Sequence, residues 1–156
     1  MRVTLREITS ETVRAVTQLA VAPGQQGFVA PNAVSLSQAL FSEDAWYRAV
    51  YAGEELAGFV MLSDETLRKE PPAEPKVWLW RFMIDHRFQR RGIGREAIRL
   101  VINHVRGRPG VDRLYTSYVP EPGGPEPFYL GLGFKPTGEV EDGEVVLVHP
   151  LRAGGS

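Results

Sequence analysis

A short basic segment with two glycines, residues 89–94, has the composition and position of an anion-binding loop. It reads Gln-Arg-Arg-Gly-Ile-Gly, follows the apolar run 77–84 and precedes a stretch, 93–105, with helical periodicity. Backbone N–H groups at a helix N-terminus lack partners within the helix and lie at the positive end of its dipole. Glycine has no Cβ that would keep an anion away from the backbone. The segment therefore predicts a site for a phosphorylated ligand, with a pyrophosphate as the preferred ligand.

Two well-known phosphate-binding patterns fit this segment poorly. A Walker A loop needs Lys-Ser or Lys-Thr after its second glycine, whereas Gly94 is followed by Arg95 and Glu96. A dinucleotide fingerprint needs its first glycine directly after the strand, but residues 85–91 intervene here. It also needs an acidic residue at the end of the next strand, and Asp112 begins the next apolar run instead. A nucleotide-dependent oxidoreductase and a glycine loop without any ligand are therefore the weaker alternatives.

A third pattern, Gln/Arg-x-x-Gly-x-Gly/Ala, fits residues 89–94 in full. A second mark lies downstream, where residues 128–134 read Phe-Tyr-Leu-Gly-Leu-Gly-Phe. Together the two segments resemble the GNAT superfamily of acetyl-CoA-dependent N-acetyltransferases. The resemblance implies an α/β fold of the layered α+β kind, with a mostly antiparallel mixed sheet and helices on both faces. It also implies a V-shaped cleft between strands 4 and 5, and acetyl-CoA as the cosubstrate.

The resemblance assigns cofactor binding to two neighbouring segments. The backbone of Phe82, Met83 and Ile84 is expected to pair with the pantetheine arm as an added strand would. A backbone N–H near Met83 is expected to face the thioester oxygen as an oxyanion donor. The pyrophosphate is expected on the loop and its flank, which comprise Gln89, Arg90, Arg91, Gly92, Ile93, Gly94 and Arg95.

Tyr129 is the candidate general acid, because its place in the second segment matches the family tyrosine that lies near the CoA sulfur. A phenol with a pKa of about 10 stays protonated at neutral pH and can donate to a departing thiolate. A packed aromatic side chain is the structural alternative. The chain has no cysteine, which excludes an acyl-thiol enzyme and favours direct attack by the amine.

No single general base can be read from the sequence. Glu121 is the catalytic candidate, with Glu126 as a neighbouring alternative, since both follow the strand predicted at 114–119. Each can equally be a solvated loop charge. Many family members carry an asparagine shortly before the tyrosine, and residues 120–127 contain none. A non-catalytic acyl-CoA-binding sensor on the same fold is therefore the alternative function.

Over most of its length the chain also resembles the polyamine (spermidine/spermine) acetyltransferase-like branch of GNAT proteins. The resemblance lies in residues 25–32, 51–59, 77–85 and 138–144. It implies that Phe28, Asn32 and Trp80 border the acceptor, although core packing is an equal alternative for the two aromatic residues. A polycation pocket needs carboxylates, and the candidates are Glu43, Asp44, Asp64, Glu65 and Glu121. A small primary amine, such as a polyamine, is the expected acceptor; protein N-termini, amino sugars and antibiotics are the alternatives.

Composition and charge set the wider limits. The 156 residues are 43% hydrophobic and 24% charged, which predicts one folded domain over residues 1–152 and a disordered tail at 153–156. A net charge of −1 argues against nucleic-acid and membrane partners. Three histidines without ligand spacing give no metal site. The N-terminus shows no signal peptide, so a cytoplasmic location is expected, and a homodimer is expected by analogy alone.

The hydrophobic patterns predict the elements that must position these residues. Their order is a strand, two helices, three strands, a helix, a strand, a helix and two strands. The second helix is predicted to begin with a capping box at Ser35 and Gln38 and to run through Phe41. The helix after the glycine loop has one apolar stripe, formed by Ile93, Ala97, Ile98, Val101, Ile102 and Val105.

Overall fold

The computed structural model describes residues 2–152, apart from the side chain of Phe28. The predicted order of elements is confirmed. The helices are α1 (Val13–Gln18), α2 (Asn32–Ala39), α3 (Ile93–Arg106) and α4 (Glu126–Gly131). The strands are β1 (Val3–Arg6), β2 (Ala45–Ala52), β3 (Glu55–Asp64), β4 (Val77–Ile84), β5 (Arg113–Tyr118), β6 (Lys135–Glu141) and β7 (Glu144–Pro150). The tail predicted to be disordered, 153–156, lies outside the described residues.

The described strands form one seven-stranded sheet in the order β1-β2-β3-β4-β5-β7-β6. Neighbouring strands are antiparallel except β4 and β5, which are parallel. This parallel pair is short, because only Val77 with Leu114 and Trp78 with Tyr115 are in register. Beyond these pairs the two strands diverge, and their separation opens the predicted V-shaped cleft. The fold prediction is confirmed in this respect too.

Helices cover both faces of the sheet, and alternate side chains of β3 pack against the helices on opposite faces. Phe59 and Met61 belong to the hydrophobic cluster beneath α1 and α2, whereas Val60 and Leu62 belong to the cluster beneath α3. Successive side chains of a strand point to opposite faces, so a continuous apolar run serves both layers. The six predicted apolar positions of α3 are all buried, which anchors this helix directly after the glycine loop.

The predicted start of α2 is wrong. The helix begins three residues before Ser35, at Asn32, and Pro31 stands at its N-cap. Proline has a fixed φ suited to a helix start, and the Ser35 hydroxyl turns back to the Pro31 carbonyl at 3.5 Å instead of capping. The helix ends at Ala39, and Phe41 is 90% exposed. The earlier start moves Asn32 into the helix and, with it, into the core.

No helix within residues 2–152 combines the length and apolar character needed to cross a bilayer.

Candidate active site

Two adjoining cavities lie along the divergent part of β4. The loop cavity, of about 510 Å³, is lined by the end of β4 and by the glycine loop. The cleft cavity, of about 750 Å³, occupies the V between β4 and β5. The two linings share Val29, Phe82, Pro125 and Tyr129. A ligand in one cavity can therefore meet a ligand in the other beside these four residues.

The backbone N–H groups of the glycine loop are free to bind a ligand. From residue 89 to residue 95, none of them donates a hydrogen bond to another group among the described residues. Several of these groups belong to the first turn of α3, a helix of 14 residues, where they lie at the positive end of its dipole. The loop therefore presents a row of unpaired donors to the loop cavity, as an anion site requires.

Two residues of the loop have left-handed backbone conformations. Gly92 has a φ of 79°, and Arg90 has a φ of 64°. A positive φ is uncommon for a residue with a side chain, such as Arg90, and is often associated with function. Both residues line the loop cavity, as do Gly94 and Arg95. Arg90 and Arg95 supply positive charge beside the free N–H groups.

The other two predicted cofactor residues of this segment are placed differently. Arg91 lies outside the cavity lining, with its guanidinium carbon 5.6 Å from the centre of the Phe88 ring. Ile93 is 4% exposed and packs in the core beneath α3. The side chain of Ile93 is therefore unavailable to a ligand, whereas the side chain of Arg91 is exposed beside the loop.

Gln89 holds the loop against two other segments. Its amide nitrogen donates to the Ile84 carbonyl at 2.9 Å and to the Gln25 side-chain oxygen at 2.9 Å. Gln25 belongs to the 3-10 turn Pro23–Phe28, which lies between α1 and α2. The glutamine of the pattern thus joins the end of β4 to the segment that borders both cavities, and it lines the loop cavity itself.

The predicted pantetheine strand, Phe82–Ile84, lies on a free edge of the sheet. All three residues line the loop cavity, and no residue of β5 pairs with them. A bulge precedes them, because Met61 faces Arg81 and Leu62 faces Leu79, which leaves Trp80 unpaired. Bulges bend a strand and redirect its backbone groups, often next to active sites. An unpaired edge of this kind can accept an extended amide-bearing chain as an added strand.

Asp85 fixes the turn that connects β4 to the loop. It is 2% exposed and accepts hydrogen bonds from the Ala20 N–H at 3.0 Å, the Arg87 N–H at 3.0 Å and the Arg87 Nε at 2.8 Å. Burial opposes ionisation of this carboxyl, but the hydrogen bonds from Arg87 and Ala20 outweigh it and hold the pKa of Asp85 below its ordinary value. The turn before the glycine loop is thereby tied to the end of α1.

We expect Asp85→Asn to lower the free energy of unfolding by about 1–3 kcal/mol at neutral pH, because charged hydrogen bonds are lost in a buried site. Since the folded pKa lies below the unfolded value of about 3.9, this stabilisation is complete above that pH and is lost as the pH falls through the folded pKa. Denaturant titrations of both proteins from about pH 7 downwards measure the difference. The control is Glu7→Gln, which alters an exposed ion pair. A difference that stays constant down to about pH 3 would contradict this account of Asp85.

Tyr129 lies where the two cavities meet. It is 8% exposed, lies on α4 and packs edge-on against Phe128 and Phe134. Burial raises the pKa of Tyr129 to about 12, although the neighbouring Thr116 hydroxyl acts in the opposite direction. The phenol therefore stays protonated at neutral pH and is available as a hydrogen-bond donor at the junction.

The three predicted acceptor residues have three different placements. Trp80 is half-buried and lines the cleft cavity. Asn32 is 2% exposed, lines neither cavity and donates to the Val16 carbonyl at 2.9 Å, so its side chain holds α2 against α1. The side chain of Phe28 lies outside the described residues.

The charges of the cleft cavity come from residues that sequence reasoning did not select. Its lining includes the carboxylates Glu141 and Glu144 and the guanidinium of Arg81. The five carboxylates proposed from the sequence all lie outside that lining; among them Asp44 and Asp64 are paired with arginines. Strand alternation in the final hairpin, formed by β6 and β7, was the useful signal in the sequence. The pairing of β7 with β5 decides which carboxylates of that hairpin face the cleft.

The two glutamates of the loop before α4 differ in their contacts. Glu121 is exposed and lines neither cavity. Glu126, the first residue of α4, accepts a hydrogen bond from the hydroxyl of Tyr118. Tyr118 was not selected from the sequence, although it is 7% exposed and lines the cleft cavity.

Comparison with known proteins identifies the family. The family described as Acetyltransferase (GNAT) family matches residues 31–134, which span the cleft strands, the glycine loop and Tyr129. This chain is a GNAT acetyltransferase. The predictions of the family, the fold and an acetyltransferase enzyme are confirmed.

Relatives of this GNAT protein match nearly its whole length. The spermine/spermidine N(1)-acetyltransferase of Bacillus subtilis (strain 168) is 29% identical over 97% of this chain and 100% of its own. A probable spermine N(1)-acetyltransferase of Bacillus subtilis subsp. natto (strain BEST195) is 28% identical over the same shares. The PaiA N-acetyltransferase from Thermoplasma acidophilum, solved in complex with coenzyme A, has a TM-score of 0.69 at 15% identity, covering 96% of this chain and 99% of its own. At that identity the structural match concerns the GNAT fold alone.

Proposed function

We propose that this GNAT protein transfers the acetyl group of acetyl-CoA to a primary amine by direct attack within a ternary complex. The acceptor is a small amine, and a polyamine is the first candidate. The observation that carries the proposal is the meeting of the two cavities beside Phe82 and Tyr129. A donor held in the loop cavity and an acceptor held in the cleft cavity would bring their reacting atoms together at that junction.

The loop cavity has the groups that acetyl-CoA requires. The free N–H groups of residues 89–95, with Arg90 and Arg95, suit the diphosphate. The unpaired edge of Phe82–Ile84 suits the amide-bearing pantetheine arm. Acetyl-CoA bound in this way would direct its thioester from the loop towards the cleft, where a backbone N–H near Met83 would stabilise the oxyanion. Tyr129 would then donate to the departing sulfur.

The cleft cavity has groups that suit a protonated amine. Trp78, Trp80 and Tyr118 provide aromatic surface, and Glu141 and Glu144 provide negative charge. Arg81 also lines this cavity. Burial lowers the pKa of its guanidinium, and the negative charge of Glu144 acts in the opposite direction. The names of the Bacillus relatives point to spermine and spermidine as acceptors. These features together support a small cationic acceptor.

A thiol-release assay of acetyl-CoA turnover tests the proposal, with polyamines, amino acids, peptides, amino sugars and aminoglycosides as acceptors. We expect turnover with at least one small amine, and the highest kcat/KM with a polyamine. Coenzyme A binding is measured in parallel by calorimetry. Binding without turnover on any amine would favour the acyl-CoA sensor, for which the missing asparagine in residues 120–127 is the motivating observation. Absence of binding at millimolar coenzyme A would remove both functions.

The oligomeric state, the cellular location and the single-domain bounds 1–152 also stay predictions. Homodimer formation follows only from analogy, and light scattering on the purified protein would measure it. The cytoplasmic location is likewise a prediction from the sequence.

A further inference from the structure

Tyr118 lines the cleft cavity, and its hydroxyl is hydrogen-bonded to a carboxylate outside that cavity. Tyr118 ends β5, beyond the last residue of β5 that pairs with β4, and it is 7% exposed. It lines the cleft cavity together with Tyr129. Its hydroxyl donates to Glu126 Oε2, and Glu126 is exposed and absent from both cavity linings. One phenol therefore has its ring in the wall of the cleft and its proton directed at a group that water can reach.

Helix α4 carries both the carboxylate partner of Tyr118 and the phenol at the junction of the two cavities. Glu126 and Tyr129 are three residues apart on α4, so they lie on the same side of that helix. Tyr118 therefore meets α4 beside Tyr129, where the two cavities join. Both phenols line the cleft cavity, but among residues 2–152 only Tyr118 has a carboxylate partner.

We propose that Tyr118 and Glu126 form a proton relay that deprotonates the acceptor. This inference rests on the proposed function. The acceptor ammonium gives a proton to the Tyr118 oxygen while the Tyr118 hydroxyl proton moves to Glu126, which later releases it to water. The neutral amine then forms the C–N bond at the thioester carbonyl carbon, the C–S bond breaks, and Tyr129 protonates the sulfur. Tyr129 regains its proton from the nitrogen of the adduct, so one proton leaves the site for each acetyl group transferred.

The surroundings of Tyr118 keep its phenol protonated at neutral pH. The hydrogen bond to Glu126, with burial, raises the pKa of Tyr118 above its ordinary value. A neutral phenol can accept a proton at its lone pair while it donates its own, which is what a relay needs.

Other ionisable groups also face the cleft, and the experiment must distinguish their effects on turnover from those of the relay. They are Arg81 on β4, Glu141 on β6 and Glu144 on β7. Glu141 and Glu144 are the competing proton acceptors within the cavity, and Glu144 already accepts a hydrogen bond from the Ser117 hydroxyl at 3.1 Å. Glu121, predicted from the sequence, is the competing acceptor in the loop.

The test compares Tyr118→Phe, Glu126→Gln and the double variant in the thiol-release assay across pH. We expect each single variant to lose roughly 100-fold in kcat near neutral pH, and the double variant to lose no more than a single one. The loss should shrink as the pH approaches about 10, where a typical acceptor amine is already neutral. The KM for acetyl-CoA should not change. Glu126→Gln keeps an oxygen for the Tyr118 hydroxyl, so it tests the relay even where Tyr118→Phe folds poorly.

Matched controls remove a hydroxyl and a charge elsewhere. Tyr115→Phe changes the same strand outside both cavity linings, and Glu139→Gln changes an exposed glutamate of β6; neither should alter kcat. A loss that is constant across pH, or additive in the double variant, would make the contact purely structural and overturn the relay. A pH-dependent loss in Glu141→Gln, Glu144→Gln or Glu121→Gln, with Tyr118→Phe unaffected, would also overturn it. Turnover by the unaltered protein separates these outcomes from failure of the proposed function, in which no amine is acetylated.

Discussion

Tyr129→Phe is expected to lower kcat roughly 100-fold while the Kd for coenzyme A stays the same, because general acid catalysis contributes effects of that size. The phenol lies at the junction of the cavities, and its pKa of about 12 keeps it protonated. Its ring contacts with Phe128 and Phe134 do not involve the hydroxyl. The substitution therefore removes a proton donor and its contact with the Thr116 hydroxyl but preserves the ring contacts. Single-turnover rates of thiol release and calorimetric titration of coenzyme A measure the two quantities separately.

The control for this experiment is Tyr51→Phe. Tyr51 lies on β2, packs in the cluster beneath α1 and α2, and lines neither cavity. It should keep both kcat and the Kd for coenzyme A. If Tyr129→Phe turns over as fast as the unaltered protein, Tyr129 is a packing residue and another group protonates the sulfur.

Gly92→Ala is expected to raise the Kd for coenzyme A at least tenfold, about 1.4 kcal/mol of binding free energy. Gly92 lines the loop cavity, and a Cβ built on it meets no atom within 4 Å, so the new methyl group would project into open space. That space is where the diphosphate would approach the free N–H groups. The left-handed φ of 79° adds backbone strain of roughly 1 kcal/mol for a residue with a side chain. Calorimetric titration of coenzyme A measures the Kd.

Gly138→Ala separates strain from steric exclusion of the ligand. Gly138 on β6 has a φ of 88°, also meets no atom within 4 Å of an added Cβ, and lines neither cavity. Both variants should lose similar stability in thermal melts, but only Gly92→Ala should lose coenzyme A. Equal Kd values for the two variants would show that the diphosphate does not approach the backbone at Gly92.

The glycine loop and its helix could be predicted from the sequence because their signals are local. The apolar stripe of α3 follows the helical period, and the loop sits between that stripe and a continuous apolar strand, β4. A helix start leaves its N–H groups unpaired whatever the rest of the fold does. The resemblance of the loop and of residues 128–134 to GNAT proteins then supplied the family, which the match over residues 31–134 confirmed.

The walls of the cleft could not be predicted in the same way, because they depend on contacts between segments distant in the chain. Asp44 and Asp64 were equally plausible acceptor carboxylates until packing paired them with Arg68 and Arg108. Asn32 was expected at the acceptor, but the earlier start of α2 turns its amide to the Val16 carbonyl.

The sequence by itself determined that this chain has a basic glycine loop at the start of an amphipathic helix, within a GNAT fold. Both properties reside in residues that are neighbours along the chain or along one helix face. Only the tertiary structure decided that Glu141, Glu144 and Tyr118 face the cleft, and that Tyr118 reaches Glu126. Those choices depend on where β4 and β5 separate and on how β7 and α4 pack beside them, and no local pattern encodes that geometry.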